Sequence, residues 1–276
     1  MRTALLTLAV AAAAACQTPE TAESIMARVA VNQDRAERLR SSFVYRQNLL
    51  MSVRRANHKL AREERSEFTV IPGPNGVEKN LVHFSGRYER RGHYIAYDHP
   101  NYQYTDMDID GDVISDLAQD FTNASSRDGI AKDLFPLTAE EQRKYTFRLA
   151  GRETRRGRDV YRIAFRPRPG AEDAACWSGE ALIDAREFQP VHVSTRLARG
   201  VPFWVRTVLG TNLKYLGFSL AYDRFADGVW FPVGYGGEFE LKAVFFYKRT
   251  ISVSLENSHF EHTDVQSAIS CHEAGH

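Results

Sequence analysis

The sequence predicts a mainly β protein built on one large curved antiparallel sheet, a sandwich or a barrel. Apolar and polar side chains alternate along roughly ten or more segments, as they do in strands with one buried face. Short turns join these segments, and a single amphipathic helix precedes the first of them. No internal repeat or flexible linker divides the 276 residues, so we expect one domain over 17–262 and a polar, disordered tail over 263–276.

The N-terminus is typical of a secretory signal. Arg2 is followed by an apolar run from Ala4 to Ala15, and Gln17 begins an abruptly polar segment. The run is too short to span a bilayer as a helix. It predicts export to the periplasm or the periphery of the outer membrane. Ala13 to Cys16 resembles a lipobox, so either Cys16 is lipidated or cleavage occurs near Ala15 without lipidation.

The first element after the signal is predicted to be a helix that lies on the sheet as a lid. Thr18 and Pro19 suit the cap and the first helical position, and the helix extends to about Arg40. Its apolar residues fall at spacings of three and four and form one stripe: Ala22, Ile25, Met26, Val29, Ala36 and Leu39.

The strands follow from period-two alternation. In the first strand one side carries Phe43, Tyr45, Gln47, Leu49, Met51 and Val53. Further strands are predicted at Lys59–Val70, Leu81–Phe84, Arg87–Tyr97, Tyr145–Arg152, Val160–Arg166, Gly179–Asp184, Val191–Leu197, Leu216–Phe225, Val229–Tyr235, Glu238–Tyr247 and Thr250–Ser258.

Residues Asp106 to Lys144 interrupt the strands and are predicted to cover one edge or mouth of the sheet, with a short helix capped by Thr138. The segment Asp106 to Val113 resembles the first eight positions of an EF-hand loop. Leu117, however, stands where the bidentate Glu should be, and the flanking sequence is strand-like. We therefore expect an acidic hairpin tip and no calcium site.

No catalytic residue, metal site or cofactor is predicted. The segment His272 to His276 matches HExxH, but it lies in the polar tail, where no helix could hold the ligands. Signatures of nucleophilic or nucleotide-binding sites are absent. A net charge of +1 argues against nucleic acid as a partner. Cys176 and Cys271 could form one disulfide bond in an oxidising compartment, and the sequence leaves this open.

The C-terminal half carries two hairpins that resemble outer-membrane lipoprotein-sorting proteins. The first is Trp177 to Asp184 followed by Gln189-Pro190-Val191, and the second is Tyr222 to Phe225 followed by Asp227 to Pro232. The resemblance implies an unclosed half-barrel lidded by helices, with an apolar cavity for acyl chains and no catalysis. It favours a carrier or binding protein for lipid, acyl chains or lipoprotein. The alternatives are an envelope sensor or scaffold that binds a protein partner and, third, a metal-dependent hydrolase.

The sequence contains 16 Phe, 12 Tyr and 3 Trp, which either fill the core or hold an apolar ligand. Phe218, Leu220, Phe239 and Leu241 alternate onto shared faces of two adjacent hairpins. We expect these four side chains to line an apolar cavity on the concave face.

Overall fold

The alternating segments form eleven strands of one antiparallel sheet in the part of the chain that the structure, a computed structural model, describes. The described residues are 20–73, 76–121, 135–171, 177–198, 213–225, 228–243 and 247–263. The elements are α1 (Ala22–Arg40), β1 (Phe43–Arg55), β2 (Leu60–Gly73), β3 (Gly76–Arg90), β4 (His93–Tyr97), α2 (Ile109–Phe121), α3 (Ala139–Gln142), β5 (Tyr145–Arg155), β6 (Arg158–Pro167), β7 (Trp177–Asp184), β8 (Pro190–Leu197), β9 (Leu213–Arg224), β10 (Trp230–Ala243) and β11 (Tyr247–His262).

The sheet is open, as the predicted half-barrel requires. Its strand order is β4-β3-β2-β1-β11-β10-β9-β8-β7-β6-β5, so the first and last strands pair in the middle. The two edge strands, β4 and β5, flank the segment that contains α2 and α3. This segment was predicted to cover an edge or mouth because it interrupts the alternation.

Helix α1 begins at Ala22, one turn later than predicted. Thr21 is its cap, and the Thr21 and Ser24 side chains bond each other's backbone N–H groups at 3.1 Å. Of the predicted start, Thr18 and Pro19 lie outside the described residues. The apolar stripe packs on the sheet, with Ile25, Met26 and Val29 almost fully buried, except for Leu39, which is exposed.

Two strands are longer than predicted because they pass through glycine without turning. β3 includes Gly86, where we expected a break after Phe84, and the chain reverses only at Arg91 and Gly92, which both have positive φ. β10 likewise passes through Gly236 and Gly237, which we placed between two strands.

The acidic segment does not form the predicted hairpin tip. Asp108 is followed by α2, and its Oδ1 accepts a hydrogen bond from the Gly111 N–H at 3.1 Å. The Asp112 N–H donates to the Asp108 carbonyl oxygen at 2.9 Å, closing the first helical turn. Asp110 and Asp112 then lie in that turn, where negative charge stabilises the helix dipole.

The sheet has an inner face, on which the helices pack, and an outer face. One register row of the inner face crosses all eleven strands, from β5 to β4: Phe147, Phe165, Gly179, Thr195, Phe218, Gly237, Val253, Met51, Glu64, Gly86 and Tyr97. Most of these side chains are buried, and four of them, Phe165, Phe218, Val253 and Met51, belong to the main apolar cluster. Within the described ranges, no helix is long and apolar enough to cross a membrane.

Candidate functional site

The four predicted cavity residues lie together on the inner face. Phe218 and Leu220 are in β9 and pair with Gly237 and Tyr235 of β10. Phe239 and Leu241 lie two and four residues after Gly237 in β10, so their side chains point to the same face. Each is fully buried, with exposed fractions of 3%, 2%, 1% and 1% for Phe218, Leu220, Phe239 and Leu241. That they line a ligand cavity stays a prediction.

Helices cover this part of the inner face. Ile25, Met26 and Val29 of α1 belong to the same apolar cluster as the four residues, as do Ile114 and Leu117 of α2. A sheet that packs its apolar face on another sheet is closed by strand-to-strand packing along its length. Here the covering elements are helices, which take no part in the strand pairing of the sheet.

Aromatic rings form the centre of the inner face under the helices. The Phe218 ring stacks on Tyr235 with 5.5 Å between centroids and meets Trp177 edge-on at 5.4 Å. Phe135, from the segment that follows α2, meets Tyr235 edge-on at 6.3 Å. Tyr235 of β10 is therefore in direct contact with the covering segment, and it connects that segment to the rings of Phe218 and Trp177.

An ion pair buried on the inner face fixes the start of α2 to β2. Arg62 Nη1 lies 2.5 Å from Asp108 Oδ2, and both side chains are 1% exposed. The Tyr97 hydroxyl donates to Glu64 Oε1 at 2.6 Å, and Arg62 Nε donates to the same oxygen at 3.1 Å. Because Asp108 is also the cap of α2, this cluster couples the helix to strands β2 and β4.

Burial shifts the pKa values of the ionisable groups in this cluster in different ways. Burial raises the pKa of Glu64, and this effect outweighs the hydrogen bond from Tyr97 and the charge of Arg62. Desolvation acts to lower the pKa of Arg62, but Tyr97, Glu64 and Asp108 together raise it. The pKa of Tyr97 is raised, first by burial and then by Glu64. Arg62 is therefore the fixed cation, and its ion pair with Asp108 is the contact that holds α2.

A second ion pair fixes the first turn of α2 to β11. Arg249 Nε lies 2.8 Å from Asp110 Oδ1, and the Tyr247 hydroxyl donates to the same oxygen at 2.6 Å. Burial and the charge of Asp110 raise the pKa of Tyr247. Both ion pairs between α2 and the sheet are thus at the N-terminal end of the helix.

A polar chain crosses the inner face away from the helix contacts. Lys79 Nζ of β3 donates to Gln47 Oε1 of β1 at 3.0 Å, Gln47 Nε2 donates to Asn257 Oδ1 of β11 at 3.0 Å, and Asn257 Nδ2 donates to the Pro232 carbonyl oxygen at 2.9 Å. Gln47 is 0% and Asn257 5% exposed. Burial lowers the pKa of Lys79 to about 8.

A cavity of about 1110 Å³ lies along β5 to β8. Its outer-face lining includes Arg148, Arg166 and Arg196, with Glu180 between them by register. Its lining also includes Phe147, Phe165, Gly179 and Thr195 of the inner-face row, but none of the four predicted cavity residues.

The cysteines and the HExxH segment singled out in the sequence are not in the described part of the chain. Cys16, Cys176, Cys271 and the segment His272 to His276 lie outside the described residues. Within the described part of the chain, no three His, Cys, Asp or Glu side chains are grouped so that they could hold a metal ion.

Sequence reasoning missed both the ionic cluster and the polar chain. A signal existed for Gln47, since it stands among apolar residues on the buried side of β1. Arg62 and Glu64 gave a weaker signal. Their strand is polar on both faces in the sequence, so the sequence does not show that the face of Arg62 and Glu64 is the buried one. Lys79 gave none, since alternation alone does not show which lysine of an edge region turns inward.

No protein-family model and no curated protein sequence matches the chain. Among solved structures, it is similar to an outer membrane lipoprotein-sorting protein domain from Vibrio parahaemolyticus, with 12% identity, coverage of 90% of this chain and 95% of that one, and a TM-score of 0.39. It is similar to a DUF1329 family protein from Desulfovibrio piger, with 13% identity, coverage of 90% and 95%, and a TM-score of 0.37. It is also similar to a LolA superfamily protein from Nitrosomonas europaea, with 12% identity, coverage of 90% and 96%, and a TM-score of 0.36.

The two hairpins of the C-terminal half were expected to resemble lipoprotein-sorting proteins, and a structure of that description is among those to which the chain is similar. At sequence identities of 12% to 13%, the similarity is one of fold alone. The ligand has to be inferred from this protein's own residues.

Proposed function

We propose that the protein is a non-enzymatic carrier or binding protein of the cell envelope that holds a lipid, an acyl chain or a lipoprotein on its inner face. The observation that supports this function best is the way in which the inner face is covered. Phe218, Leu220, Phe239 and Leu241 are covered by helices, and α2 is fastened to the sheet by two discrete ion pairs. Displacing the helices would expose a wide apolar surface on an otherwise intact sheet.

Photolabelling of the wild-type protein tests this proposal without requiring any core substitution. A diazirine-bearing fatty acid is bound in the dark, irradiated, and the labelled peptides are mapped by mass spectrometry. We expect labels on inner-face residues of β9 and β10 and on the facing stripe of α1, and their removal by excess unlabelled fatty acid.

The alternative, an envelope sensor or scaffold, predicts a different result. Its inner face would be a permanently packed core, and the fatty acid would label no inner-face peptide. Labels confined to the outer face along β5 to β8 would also contradict the carrier function, since the apolar surface is on the other side.

Export belongs to the same proposal, and it rests on residues 1–16, which lie outside the described part of the chain. We expect the mature chain to begin at or near Cys16. Intact-mass measurement of protein from a bacterial envelope fraction checks this, and a lipidated Cys16 would add the mass of its acyl chains. A mass that retains residues 1–15 would contradict export.

A further inference from the structure

Lys79 is a cation turned toward the inner face of the sheet. It pairs with Val70 of β2, which pairs with Tyr45 of β1, and both partners are buried on that face, at 0% and 4% exposed. To reach Gln47 in β1, the lysine side chain has to cross β2 between Phe68 and Val70. Its ammonium group therefore lies above apolar side chains.

The ammonium group has no anionic partner in the described part of the chain. Among the residues that the structure describes, no carboxylate lies within ion-pair distance of Lys79, and its one hydrogen bond is to a neutral amide. Nearby Glu67 alternates onto the outer face, where it pairs with Arg46 at 2.8 Å. A desolvated charge without a counter-ion is costly, and such groups are common at binding sites.

The surroundings of Lys79 are ordered. Gln47 cannot rotate freely, because its amide nitrogen donates to Asn257 while Asn257 donates to the Pro232 carbonyl oxygen. These bonds aim the Gln47 oxygen at the lysine and leave two ammonium N–H groups for another acceptor. Tyr45, Val70 and Val77 form a small apolar cluster beside the lysine.

We propose that Lys79 binds the carboxylate of a fatty acid whose chain lies along the inner face, an inference that rests on the proposed carrier function. One unpaired cation matches one negative charge, and a carboxylate supplies acceptor oxygens for the two remaining N–H groups. The apolar cluster of Tyr45, Val70 and Val77 provides the first surface for the alkyl chain.

The test compares three amphiphiles with the same chain. Laurate, dodecanol and dodecyl phosphate compete with the neutral fluorescent probe N-phenylnaphthylamine on the wild-type protein, on Lys79→Gln and on Lys59→Gln, an exposed-lysine control in the turn before β2. We expect laurate to bind the wild type about tenfold more tightly than dodecanol, the fold-change of about 1.4 kcal/mol for one charge-assisted contact. Lys79→Gln should abolish this preference and leave dodecanol unchanged, whereas Lys59→Gln should keep it.

Each result has one meaning. If the wild type binds laurate and dodecanol equally, or if Lys79→Gln keeps the preference, the head-group assignment is wrong while the carrier function stands. If dodecyl phosphate binds more tightly than laurate, the carboxylate assignment is wrong. If neither the probe nor any amphiphile binds, the proposed function itself fails. Circular dichroism and thermal melting show that each variant is folded.

Discussion

The ring of Tyr97 in β4 lies directly over Gly86 in β3. The two residues are register partners, and a Cβ atom added to Gly86 would overlap the tyrosine ring. Because the ring lies flat across β3, the Tyr97 hydroxyl reaches Glu64 of β2, two strands away. The glycine therefore makes room for the side chain that connects the edge strand to the buried ionic cluster.

Replacing Gly86 with Ala should lower the free energy of unfolding by about 2 to 3 kcal/mol, because the ring has to move and its bond to Glu64 is lost. Urea denaturation measures this. The matched control is Gly236→Ala in β10, where the new Cβ would make an ordinary contact with the Val253 carbonyl oxygen. A Gly-to-Ala change that fits its site is neutral or stabilising, so equal stability of the Gly86 variant and the wild type would contradict the argument.

Replacing Asp108 with Asn should lower the free energy of unfolding by about 3 kcal/mol, because the buried Arg62 then keeps only Glu64, whose pKa is raised, as a carboxylate partner. The amide retains an oxygen that can cap α2, so the loss reports mainly on the ion pair. Urea denaturation again gives the value. Asp106→Asn is the control, since that residue is exposed and lies just before the cap. A variant as stable as this control would show that Arg62 finds sufficient compensation in Glu64.

Replacing Asp110 with Asn should loosen α2 without unfolding the sheet. Among the residues that the structure describes, this carboxylate contacts Arg249 and Tyr247, at the partly buried edge of the helix. We expect hydrogen exchange of the α2 amides to become roughly tenfold faster, with β9 and β10 unchanged. The neutral probe should also bind faster. Asp112→Asn, in the same helical turn and exposed, controls for the helix dipole. Uniform acceleration throughout the sheet would mean that α2 is part of the global core.

Stability should increase with pH above about 8. Burial lowers the pKa of Lys79 to about 8 from an ordinary 10.5, so between these values the unfolded chain holds a proton that the folded chain has lost. The free energy of unfolding then rises with pH, by about 1 to 2 kcal/mol up to pH 9.5. Above about 10 the raised pKa values of Tyr97 and Tyr247 act in the opposite direction. Denaturation of the wild type and Lys79→Met at pH 7.5 and 9.5 checks this, and an identical increase in both proteins would assign it to other groups.

Much of the architecture was readable from local patterns. Alternation gave most strands to within a few residues, except those that meet at Gly86 or run through Gly236 and Gly237. The stripe of Ile25, Met26 and Val29 gave a helix that packs on the sheet. The shared face of Phe218 and Leu220 also followed, because side chains two residues apart in a strand always point to the same side. These features depend only on backbone geometry and on the separation of apolar from polar side chains.

The segment around Asp108 could not be read in this way. Its alternating acids suit a calcium loop, a hairpin tip or the first turn of a helix. The helix forms where Arg62 and Arg249 neutralise two of those acids, and these arginines come from strands 46 residues before Asp108 and 139 residues after Asp110. The candidate site depends on the same kind of pairing, since Gln47 meets Asn257 only because β1 joins β11, and Lys79 reaches Gln47 across β2.

The sequence by itself determined that this protein is an antiparallel β structure with an apolar face and a covering helix, since period and composition act within a single element. Only the tertiary structure decided where the strands continue. Gly86 and Gly237 look like turn residues, but each lies within a strand beneath the aromatic ring of a neighbouring strand, Tyr97 or Phe218. A glycine permits both a turn and a close ring contact, and the choice between them depends on a partner that is distant in the chain or on another strand.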